Sequence, residues 1–396
     1  MNEVVITGAV RIPVGLFGGA YKMEKPEDLG AKVIKEAVKR YIPDGSRIDR
    51  VIMGFTQQTS EAPNAARIAL LKAGLPIEVV GTTPHINCGS GLLAINEMTN
   101  CIRVGEVDLG IAGGMESLSR GPFLVRGTIR WGHKMGTMEF IDALLETGIN
   151  ASTDLYGSIN MGITAENLAK QFNISRREQD EFALRSQKLA GEALKANRFA
   201  DEIVPYETSG RKRAIIEKDE GARPETTLED LAKLPAVFMK GGTVTAGNAC
   251  TMNDGAAAVV MMSKEKADEL GVKPWARVVS HAVAGVHPTV MGIGPVPAMV
   301  KALERAKLSL SDLDLVELNE AFAAQAIACI KGLSLDIDKV NVNGGAIALG
   351  HPIGATGAIL MTRLLYEMKR RKSQFGAVTL CIGGGLGIAT IIEMMN

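Results

Sequence analysis

Short runs rich in valine and isoleucine alternate along the chain with longer amphipathic stretches. Residues 4–8 and 107–114 have the length and β-branched content of buried strands. Residues 29–41 and 92–104 instead carry apolar side chains at helical spacing. Strands that alternate with helices in this way predict an α/β protein in which helices cover a sheet.

The two ends of the chain show a weak similarity to each other. Gly110-Ile-Ala-Gly-Gly parallels Leu380-Cys-Ile-Gly-Gly, and Val51-Ile-Met-Gly-Phe parallels Val316-Glu-Leu-Asn-Glu. This self-similarity predicts two related halves, each built around a covered sheet.

Between these halves lies a segment of different character, from about residue 119 to residue 247. It carries most of the charged helical sequence, and Ser175 and Glu178 have the spacing of a capping box, which predicts a helix start. Residues 206–231 are polar and rich in turn residues, which predicts a surface excursion. We interpret the segment as a lid or substrate-binding domain; composition alone fits a solvated decoration equally well. We expect three domains. Residues 1–118 together with 248–270 form the N-terminal half, residues 119–247 form the inserted domain, and residues 271–396 form the C-terminal half.

Composition narrows the functional classes. The 396 residues are 46% hydrophobic and 22% charged, as in a globular protein with room for more than one core. Lys and Arg total 44, as do Asp and Glu, so no net charge attracts nucleic acid or an anionic membrane. No signal-peptide pattern or membrane-length apolar window appears, and we expect a cytoplasmic protein. The five cysteines are odd in number and include no C-x-x-C pair, which predicts reduced thiols.

Cys88 stands in the motif Ile86-Asn-Cys-Gly-Ser-Gly, and apolar residues at helical spacing follow it. A helix is therefore predicted to begin just after the cysteine. The unpaired N–H groups and the dipole of a helix N-terminus favour thiolate over thiol, which is what a nucleophile requires. The alternative is a buried structural cysteine in a tight turn.

His351 is the one titratable side chain in a run that contains five glycines, Asn343-Gly-Gly-Ala-Ile-Ala-Leu-Gly-His-Pro-Ile-Gly-Ala-Thr-Gly. A glycine-rich loop of this kind is suited to precise positioning of the backbone, and histidine takes and returns protons near neutral pH. Either a catalytic or a structural histidine fits this pattern.

Cys381 and Asn319 each follow or end an apolar strand. Glycines come directly after Cys381, so the thiol is predicted at a strand end where N–H groups could bind an oxyanion; strand packing is the alternative. Asn319 precedes a predicted helix, which favours a capping role, and its amide could also hold a water that donates to an oxyanion.

Other chemistry finds no support in the motifs. No glycine-rich run has the dinucleotide fingerprint or the phosphate-loop pattern, so neither NAD nor ATP is indicated. The remaining histidines show no metal-ligand spacing, and we expect no metal. Cys101 and Cys329 lie in helical sequence and are interpreted as core residues.

Four motifs resemble, in order and separation, those of the thiolase family: Asn87-Cys-Gly-Ser-Gly, Asn319-Glu-Ala-Phe, Gly350-His-Pro-Ile-Gly and Cys381-Ile-Gly-Gly-Gly. The resemblance spans the whole chain and includes Thr245-Ala-Gly-Asn-Ala. It is strongest to biosynthetic acetyl-CoA acetyltransferases, which condense two acetyl-CoA into acetoacetyl-CoA and run the reverse thiolysis. The resemblance implies CoA as substrate or product and no separate cofactor.

The resemblance also implies roles for the motif residues. Cys88 would accept an acetyl group with His351 as its base, and Cys381 would deprotonate a second acetyl-CoA. His351 and a water on Asn319 would hold the enolate oxygen. The N–H groups of Cys88 and Gly383 would hold the tetrahedral oxyanion.

The fold implied by the resemblance has two βαβαβαββ halves that form a layered α/β/α/β/α core, with an inserted loop domain that binds CoA. Homo-oligomers, arranged as a dimer of dimers, are expected. The implied CoA and acyl contacts are Arg223, Phe238, Ala246, Cys250, Met161, Met291, Ala321 and Phe322.

Three positions depart from the usual family pattern, with Asn160 in place of histidine, Cys250 in place of serine and Leu386 in place of glutamine. They leave open which acyl chain is preferred, so a degradative 3-oxoacyl-CoA thiolase is an alternative. A decarboxylating ketoacyl synthase is disfavoured because Cys381 stands where that class has a second histidine. A non-catalytic acyl-CoA-binding protein would have lost Cys88, His351 or Cys381, and all three are present.

Overall fold

One mixed sheet of ten strands runs through the computed structural model, which describes residues 1–150, 153–210 and 213–395. In chain order the strands are β1 (Val4–Arg11), β2 (Gly15–Leu16), β3 (Arg50–Gly54), β4 (Val80–Thr82), β5 (Leu109–Ser117), β6 (Phe123–Leu124), β7 (Ile141–Asp142), β8 (Ile149–Asn150), β9 (Ile159–Asn160), β10 (Tyr206–Glu207), β11 (Ile215–Ile216), β12 (Asn253–Ser263), β13 (Ala276–Gly285), β14 (Leu315–Leu318), β15 (Phe375–Ile382) and β16 (Leu386–Met394).

Helices flank this sheet on both faces. In chain order they are α1 (Pro26–Tyr41), α2 (Ala65–Lys72), α3 (Ser90–Arg103), α4 (Ile129–Gly132), α5 (Ala143–Thr147), α6 (Thr153–Tyr156), α7 (Met161–Gln171), α8 (Arg176–Lys195), α9 (Leu228–Ala232), α10 (Lys264–Glu269), α11 (Pro295–Ala306), α12 (Ala323–Leu333), α13 (Ala346–Leu349) and α14 (Thr356–Arg371).

The two halves of the sheet repeat one pairing pattern. In the first half β12 pairs antiparallel with β1 and with β5, and β5 pairs parallel with β3. In the second half β16 pairs antiparallel with β13 and with β15, and β15 pairs parallel with β14. The weak self-similarity of the sequence thus connects equivalent strands, β5 with β15 and β3 with β14. Strands β1 and β13 join the halves.

Three apolar cores separate five layers. The central core buries α3 and α14 between the inner faces of both half-sheets, with Leu92 and Leu360 among its members. One outer core packs α1 and α2 on the first half-sheet, and the other packs α11 and α12 on the second. This is the predicted α/β/α/β/α arrangement, and its apolar burial supplies the main driving force for folding.

The two central helices approach each other very closely at their N-termini. A Cβ at Gly357 of α14 would lie 2.3 Å from the backbone nitrogen of Leu92 in α3, and a Cβ at Gly91 would lie 2.9 Å from the carbonyl oxygen of Gly354. Only glycine permits this approach. The segments that precede α3 and α14 are therefore brought together, and these segments contain Cys88 and His351.

Between β5 and β12 the chain leaves the main sheet. Helix α8 begins after Ser175 with the capping box predicted from Glu178. The prediction of a surface excursion over residues 206–231 is wrong in part, because Asp219 is 8% exposed and accepts hydrogen bonds from the Arg11 guanidinium at 2.7 and 3.0 Å. A polar sequence alone does not reveal that its charges have buried partners.

Candidate active site

A turn in left-handed backbone presents Cys88 immediately before α3. Asn87 has a φ of 52°, and its Nδ2 donates to the carbonyl oxygen of Gly383 at 3.0 Å. The Ser90 hydroxyl donates to the carbonyl of Asn87 at 2.7 Å and accepts from the N–H of Ile86 at 3.0 Å. These bonds fix the turn on both sides of Cys88.

Backbone N–H groups surround the Cys88 sulfur. Those of Gly383 and of Cys88 itself hydrogen-bond to it, but burial outweighs them and raises the pKa of the thiol to about 11. Burial therefore opposes the thiolate that the helix terminus was expected to favour. Desolvation exceeds the helix-end effect because the thiol faces an apolar cavity, so Cys88 is a thiol until a base takes its proton.

His351 is held in a single orientation by two polar contacts. Its N–H donates to Asn253 Oδ1 at 2.9 Å, and its Nδ1 lies 2.7 Å from the hydroxyl oxygen of Thr356. That hydroxyl donates its one hydrogen to the carbonyl of Pro352 at 2.9 Å, so it accepts from Nδ1–H. Nε2 consequently carries the lone pair, and it has no hydrogen-bond partner among the described residues. Burial lowers the pKa of His351 to about 4, so the imidazole is neutral.

Cys381 lies near the end of β15, as predicted, and is fully buried. Burial raises the pKa of its thiol well above the ordinary value, and the neighbouring thiols of Cys88, Cys329 and Cys250 add to this. Cys250 is held by its N–H bond to the carbonyl of Ala321 at 3.0 Å, and burial raises its pKa to about 12. Several thiols thus share one apolar environment, and each is protonated at neutral pH.

One cavity of about 190 Å³ connects these groups. The predicted site residues that line it are Cys88, His351, Cys381, Gly383, Cys250, Met161, Met291, Ala321 and Phe322. Arg223, Phe238, Ala246 and Asn319 do not line it. Phe238 packs edge-on against Phe322 with ring centroids 6.1 Å apart, whereas Arg223 and Ala246 are exposed outside the cavity.

Asn319 does not cap a helix. Helix α12 begins at Ala323, where the N–H bonds to the carbonyl of Asn248 at 2.8 Å, and Gln325 Oε1 accepts the N–H of Ala321 at 3.1 Å. Asn319 instead continues from β14, with its N–H bonded to the carbonyl of Thr379. Both polar atoms of its fully buried side chain lack a partner among the described residues. Such a group requires a water or a ligand.

Two departures from the family pattern have structural explanations. Asn160 caps α7, where its Oδ1 accepts the N–H of Gly162 at 2.8 Å. Leu386 packs at the edge of the central core and does not line the cavity.

Several residues of the site were not anticipated from the sequence. Gln57, Leu118, Leu144, Gly148, Met252 and Ile353 also line the cavity. Thr356 and Asn253 orient His351. Thr356, the one polar side chain in Gly-Ala-Thr-Gly after Ile353, was a usable signal, whereas the apolar lining residues carry no local pattern that separates them from the core.

The site has no features of metal binding in the part of the chain that is described, since no group of three or more His, Cys, Asp or Glu side chains is suitably placed. No helix of the described residues is long and apolar enough to cross a membrane. The arrangement places a thiol, a neutral imidazole with a free lone pair, a second thiol and convergent N–H groups around one cavity. It can carry out acyl transfer through a thioester.

Comparison with known proteins identifies relatives along the full length. The profile described as "Thiolase, N-terminal domain" matches residues 4–265, and "Thiolase, C-terminal domain" matches residues 272–394. An acetyl-CoA acetyltransferase of Syntrophomonas wolfei is 49% identical over 399 residues, covering 100% of each chain. A beta-ketothiolase of Cupriavidus necator is 48% identical over 395 residues, covering 99% of each.

Solved structures agree with the fold. The crystal structure of the Bacillus anthracis acetyl-CoA acetyltransferase matches with a TM-score of 0.96 at 46% identity, covering 100% of this chain and 99% of that one. The human mitochondrial 3-ketoacyl-CoA thiolase in complex with CoA matches with a TM-score of 0.95 at 43% identity, covering 100% and 98%.

Proposed function

The chain belongs to the thiolase family and is therefore an acyltransferase, and from this premise we propose that it is an acetoacetyl-CoA thiolase. In this reaction two acetyl-CoA give acetoacetyl-CoA and CoA, or the reverse. The observation that supports the site assignment best is the fixed tautomer of His351, which lines the cavity with Cys88 and Cys381 and whose buried Nε2 has no partner among the described residues.

In the proposed acylation, His351 Nε2 takes the Cys88 proton while the sulfur attacks the thioester carbonyl. CoA leaves as its thiol with that proton, and Cys88 carries the acetyl group. The pKa directions favour a coupled transfer, because a buried thiol and a neutral imidazole coexist without charge until substrate arrives. The N–H groups of Cys88 and Gly383 stabilise the tetrahedral oxyanion, a role supported by their bonds to the resting sulfur.

In the proposed condensation, Cys381 first passes its thiol proton to Nε2 of His351, and the resulting thiolate removes a methyl proton from the second acetyl-CoA. Negative charge develops on the enolate oxygen, which His351 and a water held by Asn319 would stabilise. The unpartnered amide of Asn319 supports this role, since a buried amide without partners is well suited to hold a water. The carbanion then attacks the acetyl-Cys88 thioester, and the Cys88 thiolate leaves and takes the proton that His351 holds on Nε2, which restores both thiols and the neutral imidazole.

A short acyl group fits the cavity. Its volume of about 190 Å³ is below the range of ordinary ligand pockets, roughly 300–1,000 Å³, and Met161, Met291 and Phe322 fill its walls. We propose that residues 119–247 form the CoA-binding insertion, with Arg223, Phe238 and Ala246 contacting CoA. A degradative thiolase is the second candidate, because the human 3-ketoacyl-CoA enzyme has the same fold with a TM-score of 0.95.

We also propose that the protein is a cytoplasmic homo-oligomer, arranged as a dimer of dimers. Trp131 and Met135 are 88% and 93% exposed, and Phe123 and Phe140 are exposed beside them in the chain. An exposed group of large apolar side chains is unfavourable in a monomer and typical of an association surface. Light scattering that returned a monomer at micromolar concentration would contradict this part of the proposal.

The decisive experiment is thiolysis of 3-oxoacyl-CoA substrates of increasing chain length, with Cys88→Ala as the control. We expect activity confined to four or five carbons, no turnover by the folded variant, and acetyl-CoA as product from acetoacetyl-CoA. Higher activity on long chains would assign the degradative function, and no activity on any chain would refute thiolase activity.

A further inference from the structure

Glu116 in β5 is a buried carboxylate at the back of the site. It is fully inaccessible, and it accepts hydrogen bonds from the N–H groups of Gly354 at 2.8 Å, Thr56 at 3.3 Å and Gln57 at 3.4 Å, and from the Thr56 hydroxyl. These donors belong to two loops, one after β3 and one after His351. Glu116 therefore ties β5 to both loops.

The backbone at Gly354 is tightly packed against the Glu116 carboxylate and the loop after β3. A Cβ at Gly354 would lie 2.9 Å from a Glu116 carboxylate oxygen and 2.8 Å from Cα of Phe55. No ion pair of Glu116 occurs among the described residues, and burial raises the pKa of its carboxyl to about 7, so above that pH neutral donors alone compensate its charge. A carboxylate buried without a counter-charge is costly to the folded state, and the hydrogen bonds that offset this cost come from the two loops beside the cavity.

Both loops held by Glu116 reach the cavity. Gln57 and Ile353 line it beside Cys88 and His351, and Gly354 follows the histidine by three residues in a turn that also contains its Nδ1 partner. The negative charge of Glu116 also acts on Cys88 electrostatically.

We propose that Glu116 is a positioning residue of the acyl-transfer reaction. By accepting the N–H of Gly354 it holds the turn after His351 in the position that directs Nε2 toward Cys88, and its charge adds to the burial that keeps Cys88 in the thiol form. The inference rests on the proposed function for the roles of Cys88 and His351.

Glu116→Gln tests the proposal with little change of shape. Both carboxylate oxygens of Glu116 accept from backbone N–H groups, so in either orientation the NH₂ group of the glutamine would face an N–H donor. At least one hydrogen bond that holds a loop is therefore lost. We expect kcat for thiolysis of acetoacetyl-CoA to fall about 10- to 100-fold with KM changed less than about threefold. Alkylation of Cys88 by iodoacetamide, followed on the Cys88 peptide by mass spectrometry, should shift to lower pH because a nearby negative charge is gone.

Glu24→Gln is the matched control. Glu24 is 2% exposed and accepts from neutral donors only, the Tyr206 hydroxyl at 2.8 Å and the N–H and hydroxyl of Ser209 at 2.7 and 2.9 Å. This control should change stability without changing kcat or the alkylation profile. Thr56→Val removes one donor to Glu116 and is the milder test to use if Glu116→Gln fails to fold. It should lower kcat several-fold.

Two results would overturn the inference. The first is an unchanged kcat in folded Glu116→Gln, or in Thr56→Val where Glu116→Gln does not fold. The second is an alkylation profile of folded Glu116→Gln that does not move to lower pH. Failure of the proposed function would give a different result, because the wild-type protein itself would then show no thiolysis. The alkylation profile could still be compared between wild type and Glu116→Gln, since it is measured without turnover.

Discussion

The hydroxyl oxygen of Thr356 lies 2.7 Å from Nδ1 of His351, and its own hydrogen is committed to the carbonyl of Pro352. The threonine is therefore an acceptor toward the imidazole and fixes the proton on Nδ1. Because Thr356 is the first residue of α14, the helix that fills the central core also sets the orientation of the histidine.

Thr356→Val should lower kcat about 10- to 100-fold while the protein remains folded. The buried Nδ1–H would lose its acceptor, which costs about 1–3 kcal/mol, and the Nε2–H tautomer that cannot act as a base would become populated. Thr362→Val is the matched control, since its buried hydroxyl donates to the carbonyl of Ala358 at 2.8 Å in the same helix, away from His351. Equal kcat in both variants would show that Thr356 does not orient the base.

Cys381→Ser should separate the two half-reactions. Cys88 would still be acetylated by acetyl-CoA, because its N–H contacts and His351 are untouched, but condensation should fall by more than about 100-fold since a serine hydroxyl is a far weaker base. Mass spectrometry of the Cys88 peptide measures the first step and acetoacetyl-CoA formation the second.

Cys329→Ala controls for removal of a buried thiol. Cys329 is fully buried and donates to the carbonyl of Gly292 at 3.1 Å, so its loss should affect stability and neither half-reaction. An unacetylated Cys88 in Cys381→Ser would argue against the proposed division of labour between Cys88 and Cys381.

Hydrophobic periodicity and glycine placement predicted an α/β protein because they are local signals, whereas the layered arrangement was implied by the resemblance to thiolases. The strand before Cys381, the helix after Cys88 and the capped helix at Ser175 were all confirmed. The weak repeat located equivalent strands in the two halves. It did not predict that α3 and α14 meet through Gly91 and Gly357, which depends on packing between the halves.

The failures concern groups whose state depends on distant partners. Asn319 resembled a cap, but the carbonyl of Asn248 accepts the first N–H of α12, and Gln325 Oε1 accepts the N–H of Ala321 just before the helix. The helix-end position of Cys88 suggested a thiolate, but burial raises the pKa of the thiol. Neither partner choice nor burial can be deduced from adjacent residues.

Gly350→Ala should destabilise the protein and disable it. Gly350 has a φ of 94°, and a Cβ there would lie 2.5 Å from the Asn253 side chain that binds the N–H of His351. The strain and the displaced side chain should together lower the free energy of unfolding by about 2–4 kcal/mol. Gly127→Ala, where nothing lies within 4 Å, should change it by less than about 0.5 kcal/mol. Denaturant titration of both variants checks this, and a tolerated Gly350→Ala would contradict the tight fit of the turn.

The low pKa of His351 makes stability depend on pH in a specific direction. Its pKa is about 4 in the folded protein against 6.5 in an unperturbed side chain. Between these values the unfolded chain binds a proton that the folded protein excludes, so the free energy of unfolding falls as the pH is lowered from 6.5 toward 4. His351 alone should account for a loss of about 2 kcal/mol between pH 7 and pH 5.

Denaturant titrations of the wild type and His351→Asn at these two pH values isolate this contribution, because the carboxylates are common to both proteins. The variant should lose about 2 kcal/mol less than the wild type. Equal losses would mean that His351 is not held as a neutral base, and the proposed acylation step would lose its proton acceptor.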